Sequence, residues 1–254
     1  MQLPIAPGFN WDFSLELGQE TDRLMTATWP NYICEPSDIP DPGLTCEMEA
    51  EELTRRNPLW GIRRDSDQAL VAYAHAVLVD LDFRRSSLPN HGWRFAIETV
   101  TNPKLKANCL CVIAINVDPN LRRQGFSQAL LERAKLVAKE RGFAGLVGPV
   151  RPTLKHEFPQ LSMQEYLEKR TDRGEIFDPW LRAHTKAGAD VLNICEQSVT
   201  ITATLDKWRN WTGADLQNSG KYILPQGLAP LVADVEKNIG VYCEPNIWVR
   251  YLLD

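Results

Sequence analysis

Cys109 to Val117 is an almost unbroken apolar run, rich in β-branched residues, and it stops at Asp118-Pro119-Asn120. That pattern predicts a buried strand. From Ser127 to Arg141 the period changes: Leu130, Leu131, Ala134, Val137 and Ala138 recur at i, i+3, i+4, and Gly142 follows. This is a helix with one apolar stripe and a glycine stop. Ala144 to Val150 is a second short apolar run, closed by Pro152. Strand, crossover helix and strand predict a parallel βαβ pair.

The flanking segments read less sharply. Phe13 to Ala27 predicts a first helix with Leu15, Leu17, Leu24 and Met25 on one side. Trp29 to Gly43 reads as a proline-rich loop and Cys46 to Arg56 as a short helix. Leu59 to Arg64 and Ala69 to Leu81 read as strands around the turn Asp65-Ser66-Asp67-Gln68. Arg84 to Gly92 reads as a polar loop and Trp93 to Thr101 as a further strand. Downstream, Val150 to Phe177 is a long connection with a helical patch from Met163 to Lys169. Connections of that length in a compact domain are usually functional or disordered. Asp178-Pro179 starts a helix that Gly188 ends. Asn193 to Ala203 predicts a strand, Asp206 to Trp211 a short helix on which Trp208 and Trp211 share a face and pack. Leu228 to Lys237 reads as a helix, and Val241 to Leu253 as a closing strand able to mediate pairing between copies.

Composition narrows the class. With 254 residues, 44% hydrophobic and 24% charged, the chain reads as one globular domain. A net charge of -5 argues against a nucleic-acid partner. The six cysteines, at 34, 46, 109, 111, 195 and 243, form no CxxC pair and no zinc spacing with histidine, so no metal is expected. They fit a reducing cytoplasm. The N-terminus has no basic-then-apolar leader, and no apolar run is long enough for a bilayer.

The chemistry starts at the junction of the first strand and its helix. Arg122-Arg123-Gln124-Gly125-Phe126-Ser127 is a basic, glycine-containing loop at a helix N-terminus. Free backbone N–H groups, the positive end of the dipole and two guanidinium groups suit a pyrophosphate. Gly125 permits close backbone approach.

The loop resembles the acyl-coenzyme A signature Arg/Gln-x-x-Gly-x-Gly/Ala of the GNAT acetyltransferase superfamily, with Ser127 where the family has Gly or Ala. The resemblance covers about residues 59 to 203, with a helical N-terminal part and a C-terminal extension completing a single domain, 1–254. It implies an α/β (α+β) GNAT fold: a mixed central sheet whose two parallel strands splay apart, flanked by helices. An acyl-pantetheine arm then enters the gap, with Ile115, Val117, Arg122, Arg123, Gln124, Gly125, Phe126 and Ser127 as the cofactor-binding residues.

Many GNAT enzymes carry Tyr-x-x-x-Gly-Phe on the following helix, the tyrosine protonating the leaving thiolate. In that register stands His184-Thr185-Lys186-Ala187-Gly188-Ala189. His184 can exchange a proton near neutrality; a solvated histidine at a helix C-terminus is the plainer reading. Thr153, just past the second strand, is placed to donate to a developing oxyanion, or simply caps its loop. The pair resembles that of the GNAT-type loading domains of polyketide assembly lines, which decarboxylate malonyl-coenzyme A and supply a carrier protein. Arg151 and Lys155 are candidates for a substrate carboxylate or the phosphates, although loop cations are usually solvated, and Trp180 for an acyl-pocket wall, although a tryptophan at a helix start is more often core. Glu98 is the carboxylate best placed as a base for an amine acceptor, although lone glutamates are usually exposed. His75, His91 and His156 have no partner pattern.

The expected activity is acyl transfer from acetyl-coenzyme A to an amine or thiol. The alternatives are malonyl-coenzyme A decarboxylation with an acyl carrier protein as partner, and a non-catalytic acyl-coenzyme A sensor.

Overall fold

The computed structural model describes residues 3–39, 57–100, 102 and 104–253. Its framework is one sheet of nine strands: β1 (Phe9–Asp12), β2 (Leu59–Arg64), β3 (Leu70–Val79), β4 (Cys109–Val117), β5 (Gly145–Val150), β6 (Asp190–Thr204), β7 (Gly220–Tyr222), β8 (Leu231–Asp234) and β9 (Ile239–Leu252). The order is β1-β2-β3-β4-β5-β9-β8-β7, with β6 on β9. Only β4 and β5 run parallel; the other pairs are antiparallel.

Seven α-helices accompany the sheet among the described residues: α1 (Gln19–Thr28), α2 (Asn31–Cys34), α3 (Gly92–Val100), α4 (Phe126–Glu140), α5 (Met163–Glu168), α6 (Pro179–Lys186) and α7 (Leu205–Thr212). Strand alternation divides them between the two faces. Ala72, Ala74 and Ala76 of β3 and Leu110 of β4 meet α4, which buries Phe126, Leu130, Leu131, Ala134 and Ala138. The alanines let the helix lie close, and each large side chain it buries contributes about 1.5–3 kcal/mol. Leu181 of α6 joins the same layer. Val77 and Val79 point the other way, with Cys109, Cys111, Val147 and Trp248, under Ala96, Ile97 and Val100 of α3. A third cluster unites α7 with the distal sheet, where Trp208 and Trp211 meet edge to face at 5.1 Å.

Four sequence expectations change. The strand expected from Trp93 to Thr101 is instead the helix α3 over Gly92–Val100. Its buried residues are Gly92, Ala96, Ile97 and Val100, an i, i+4, i+5, i+8 stripe. The helix expected from Leu228 to Lys237 is instead β8 and a turn. Leu231 and Ala233 are buried, Val232 between them is exposed, and Asn238 turns the chain at φ 52. The first helix starts only at Gln19, after the edge strand β1. The closing strand β9 offers no edge for pairing copies: β5 and β8 share one side and β6 covers the other. The helix expected over Cys46 to Arg56 lies outside the described residues.

Candidate active site

The parallel pair makes a wedge. Ladder pairing between β4 and β5 is confined to Leu110–Leu146 and Cys111–Val147. At the next position the strands still touch: a Cβ on Gly148 would lie 3.0 Å from the Val112 carbonyl oxygen. There β4 inserts one extra residue relative to β3, since His75 pairs with Ala114 but Ala76 with Val112. A bulge bends its strand and leaves local backbone unpaired. Beyond it, Ile115 and Val117 sit partly buried on the α4 face and the gap to β5 opens.

At the mouth of the wedge β4 runs into the basic loop. The Asp118 carboxylate accepts from the Asn120 N–H at 2.9 Å, which closes a 3-10 turn over Pro119–Leu121. Arg123 (φ 65) and Gly125 (φ 85) then take left-handed backbone, and α4 starts at Phe126. The Phe126 ring is buried edge to face on Phe9, centroids 4.8 Å apart, which pins the helix start. The N–H groups of the first turn have no partners within the helix. Arg122, Arg123, Gln124 and Gly125 are exposed and Ser127 half-buried. No atom lies within 4 Å of a Cβ built on Gly125. Cradle, dipole and paired guanidinium groups fit a pyrophosphate.

His184 stands at the opposite, closed end. It is 5% exposed, and its Nδ1 meets the Tyr251 hydroxyl at 2.7 Å. Tyr251 lies opposite Leu146, the residue where β5 is still paired to β4. Burial, with the Lys135 ammonium nearby, pushes the imidazole down to about 3, so it is neutral at physiological pH. Lys135 is held by Glu132 at 2.7 Å and by the Ala187 carbonyl at 2.6 Å, over the Tyr251 ring. Burial also raises Tyr251, which keeps its hydroxyl proton. The buried Nε2 of His184 has no partner among the described residues. Trp180, one turn earlier on α6, sets its ring edge to face against the imidazole at 4.3 Å.

Thr153 is exposed at the mouth, its carbonyl 2.9 Å from His156 Nδ1. Its neighbour Leu154 donates to the buried Asp178, which caps α6 through Trp180 and Leu181. From that cap to His184 the helix rises about 9 Å, so the two residues bracket the length of the wedge.

The flanking cations are differently engaged. Arg151 grips the buried Glu244 with two hydrogen bonds, 2.9 and 3.1 Å, and donates to the Gln226 carbonyl at 2.6 Å. Its guanidinium thus has three hydrogen bonds within the protein. Lys155 is fully buried, its Nζ donating to the Phe158 and Leu228 carbonyls at 2.8 and 2.7 Å. Burial lowers it to about 8. Glu98 projects from α3, ion-paired with Arg94 at 2.8 Å, not from a strand. His91 meets Gln197 at 3.1 Å. His75 is buried on β3.

Sequence reasoning missed Tyr251, Glu244, Tyr242, Ser198 and Asn246. The Glu244 carboxylate takes the Tyr242 hydroxyl as well as Arg151, and Ser198 donates to Asn246 at 2.6 Å. The available signal was polar residues at inward positions of otherwise apolar β9.

Among the described residues no group of three or more His, Cys, Asp and Glu could hold a metal ion. No described helix is long and apolar enough to cross a membrane. A groove of about 900 Å³ lies away from the wedge, along residues 10–20; its Asp12 and Glu20 are both tied to Arg63, at 2.7 and 2.8 Å.

Wedge, bulge and glycine-started helix together leave a cleft between two parallel strands that ends on a cradle fit for a pyrophosphate. No family model matches the chain. It is 32% identical over 256 residues to the arginine N-acetyltransferase avaD of Aspergillus versicolor, covering 91% of this chain and 87% of that protein. Its fold is similar to the loading GNATL domain of CurA from Lyngbya majuscula, with TM-score 0.59, 16% identity and 96% and 98% of the two chains covered. It is also similar to the GphF GNAT-like decarboxylase in complex with isobutyryl-CoA, with TM-score 0.55, 17% identity and 97% and 99% covered. The chain belongs to the GNAT acetyltransferase family and is an acyl-coenzyme A-dependent acyltransferase.

Proposed function

We propose that this single-domain enzyme transfers an acetyl group from acetyl-coenzyme A to a nitrogen of a small guanidine- or amine-bearing acceptor. The similarity to an arginine N-acetyltransferase along nine-tenths of the chain supports the acceptor class. The observation that carries the site assignment is the wedge with the open glycine cradle at its mouth and, at its closed end, a neutral His184 whose Nε2 has no partner among the described residues. Arg122, Arg123, Gln124 and the N–H groups of Gly125 to Ser127 hold the pyrophosphate; Ile115 and Val117 line the arm. The thioester supplies the activated acyl group.

The role of His184 follows from its protonation. We assign Tyr251 as the donor to Nδ1, which puts the imidazole proton on Nε2. A neutral imidazole gives a hydrogen bond rather than a proton. It steadies negative charge on the thioester oxygen or on the departing sulfur, and a thiol titrating near about 8.5 needs little more to leave. Trp180 walls the imidazole on one side. Thr153 donates at the mouth. Arg151 positions the β5 end through Glu244 and does not touch the acceptor.

Malonyl-coenzyme A decarboxylation is the second reading, favoured by the fold similarity to a GNAT-like decarboxylase and by a donor that needs no base. On that reading an acyl carrier protein receives the product in polyketide-type biosynthesis. Either reaction places the enzyme in the cytoplasm, where its five described free thiols stay reduced.

One assay separates the readings. The protein is incubated with acetyl-coenzyme A plus arginine, and separately with malonyl-coenzyme A alone, and every mass is followed. Acetylated amine with free coenzyme A supports transfer. Malonyl turning to acetyl without acceptor supports decarboxylation. Neither change leaves the sensor.

A further inference from the structure

We propose that Asn116 and His75 form the receptor for a carbonyl-type oxygen of the acyl acceptor, selecting acceptors that carry a carboxylate or amide carbonyl near the reacting nitrogen. This rests on the transfer reading above.

Four buried side-chain polar atoms lack a partner among the described residues: His75 Nε2, Asn116 Nδ2, Arg133 Nε and His184 Nε2. Two of them are neighbours. Tyr73 pairs with Asn116 and His75 with Ala114, so all four side chains share one face of the sheet. Diagonal residues across such a pair stand about 7–8 Å apart, close enough to share one small group. The face is the one α1 covers, opposite α4.

The Asn116 amide has a fixed orientation. Its Oδ1 accepts from the Thr28 hydroxyl at 2.7 Å and from Trp29 Nε1 at 2.6 Å. The oxygen is therefore turned to α1, and Nδ2 keeps its donors. The Tyr73 hydroxyl interacts with this amide, yet Nδ2 meets no partner in full hydrogen-bonding geometry among the described residues. His75 is 5% and Asn116 1% exposed. Each buried donor left unpaired is destabilising, and a ligand oxygen would remove that penalty at both atoms together.

The partner's chemistry follows from the donors. An amide Nδ2 can only donate. Burial holds His75 down to about 4, so it is neutral and donates from Nε2 in one tautomer. Two N–H donors on one face of the sheet suit an sp² oxygen and exclude a cation. The nearby charges cancel: Arg151 lies over the Trp29 ring at 5.6 Å but is locked to Glu244. Position is also appropriate. Past Val112 and Gly148 no ladder pairs β4 with β5, and Asn116 stands on that splayed stretch of β4, between Ile115 and Val117. An acceptor held on the α1 face reaches the thioester from the side opposite His184.

The test compares three probes that share a guanidine-bearing chain: L-arginine, L-argininamide and agmatine, which lacks the carbonyl carbon altogether. Initial rates are read from free thiol release, with products checked by mass. The wild-type enzyme is expected to favour arginine or argininamide over agmatine by about tenfold or more in kcat/KM. Arginine ahead of argininamide identifies a carboxylate, equality an uncharged carbonyl. Asn116→Asp keeps Oδ1 and replaces the donor with a repelling oxygen, so the preference over agmatine collapses to about one. Asn116→Ala does the same if the aspartate variant does not fold, and His75→Phe lowers the preference again. Agmatine used as well as arginine by the wild type, or a preference untouched by either Asn116 variant, overturns the proposal while leaving transfer intact. If none of the three is acetylated although acetyl-coenzyme A still binds by calorimetry, the transfer reading itself falls, and the receptor with it.

Discussion

Replacing Tyr251 by phenylalanine tests whether His184 works through the tautomer that Tyr251 selects. The substitution removes one hydroxyl, whose 2.7 Å contact is the hydrogen bond made by His184 Nδ1. The lost bond and the stranded ring nitrogen together cost about 1–3 kcal/mol. In a chain of this size that corresponds to a fall of about 2–10 °C in melting temperature. The kinetic effect is larger in kind. Without the donor the proton shifts between ring nitrogens and the ring rotates. A misplaced catalytic group costs up to about a hundredfold. Tyr251→Phe should thus lower kcat about ten- to a hundredfold, with KM for acetyl-coenzyme A little changed, because the cradle lies at the other end of the wedge. The double variant with His184→Ala should be no slower than His184→Ala alone, since both act on one group. A kcat equal to wild type, at whatever melting temperature, would refute the reasoning.

Gly125→Val should weaken acetyl-coenzyme A binding by at least about tenfold in calorimetry, because φ 85 is strained for a β-branched residue and its methyl groups enter the cradle. Arg151→Ala leaves Glu244 buried without its counter-charge, so chemical denaturation should show a loss of about 3–5 kcal/mol, while a folded remainder keeps its KM for acetyl-coenzyme A. His184 and His75 are held near about 3 and 4, below the unfolded value of about 6.5. The unfolded chain therefore binds more protons between these limits, and stability is lost as pH falls below about 6.5, at up to about 1.4 kcal/mol per histidine and pH unit. Urea midpoints measured from pH 7.5 to 5 check this, and His75→Phe should flatten the slope.

The elements legible in the sequence were those with a single strong period. β4 falls on Cys109–Val117, and α4 lies within a residue of the apolar stripe that predicted it. Asp178 and Pro179 announced α6 through the chemistry of its first turn, and the cap is present. Segments with two superposed periods misled: Trp93 to Val100 alternates like a strand and also repeats like a helix, and burial under β3 decides. Leu228 to Lys237 lost its hairpin because Asn238, the left-handed turn residue, was not weighed. The cradle was readable because its residues are contiguous. The environment of His184 was not, because Tyr251 is 67 positions away and meets it only across the sheet. Arg151 looked like a free cation for the same reason: Glu244, its partner, lies on β9.

The most direct test of the account is a single-turnover experiment with acetyl-coenzyme A and arginine, comparing wild type with His184→Ala by mass. The account predicts acetylated arginine and free coenzyme A from the wild type, and a variant that binds acetyl-coenzyme A as tightly yet forms product far more slowly. Product formed at the wild-type rate by His184→Ala would contradict it.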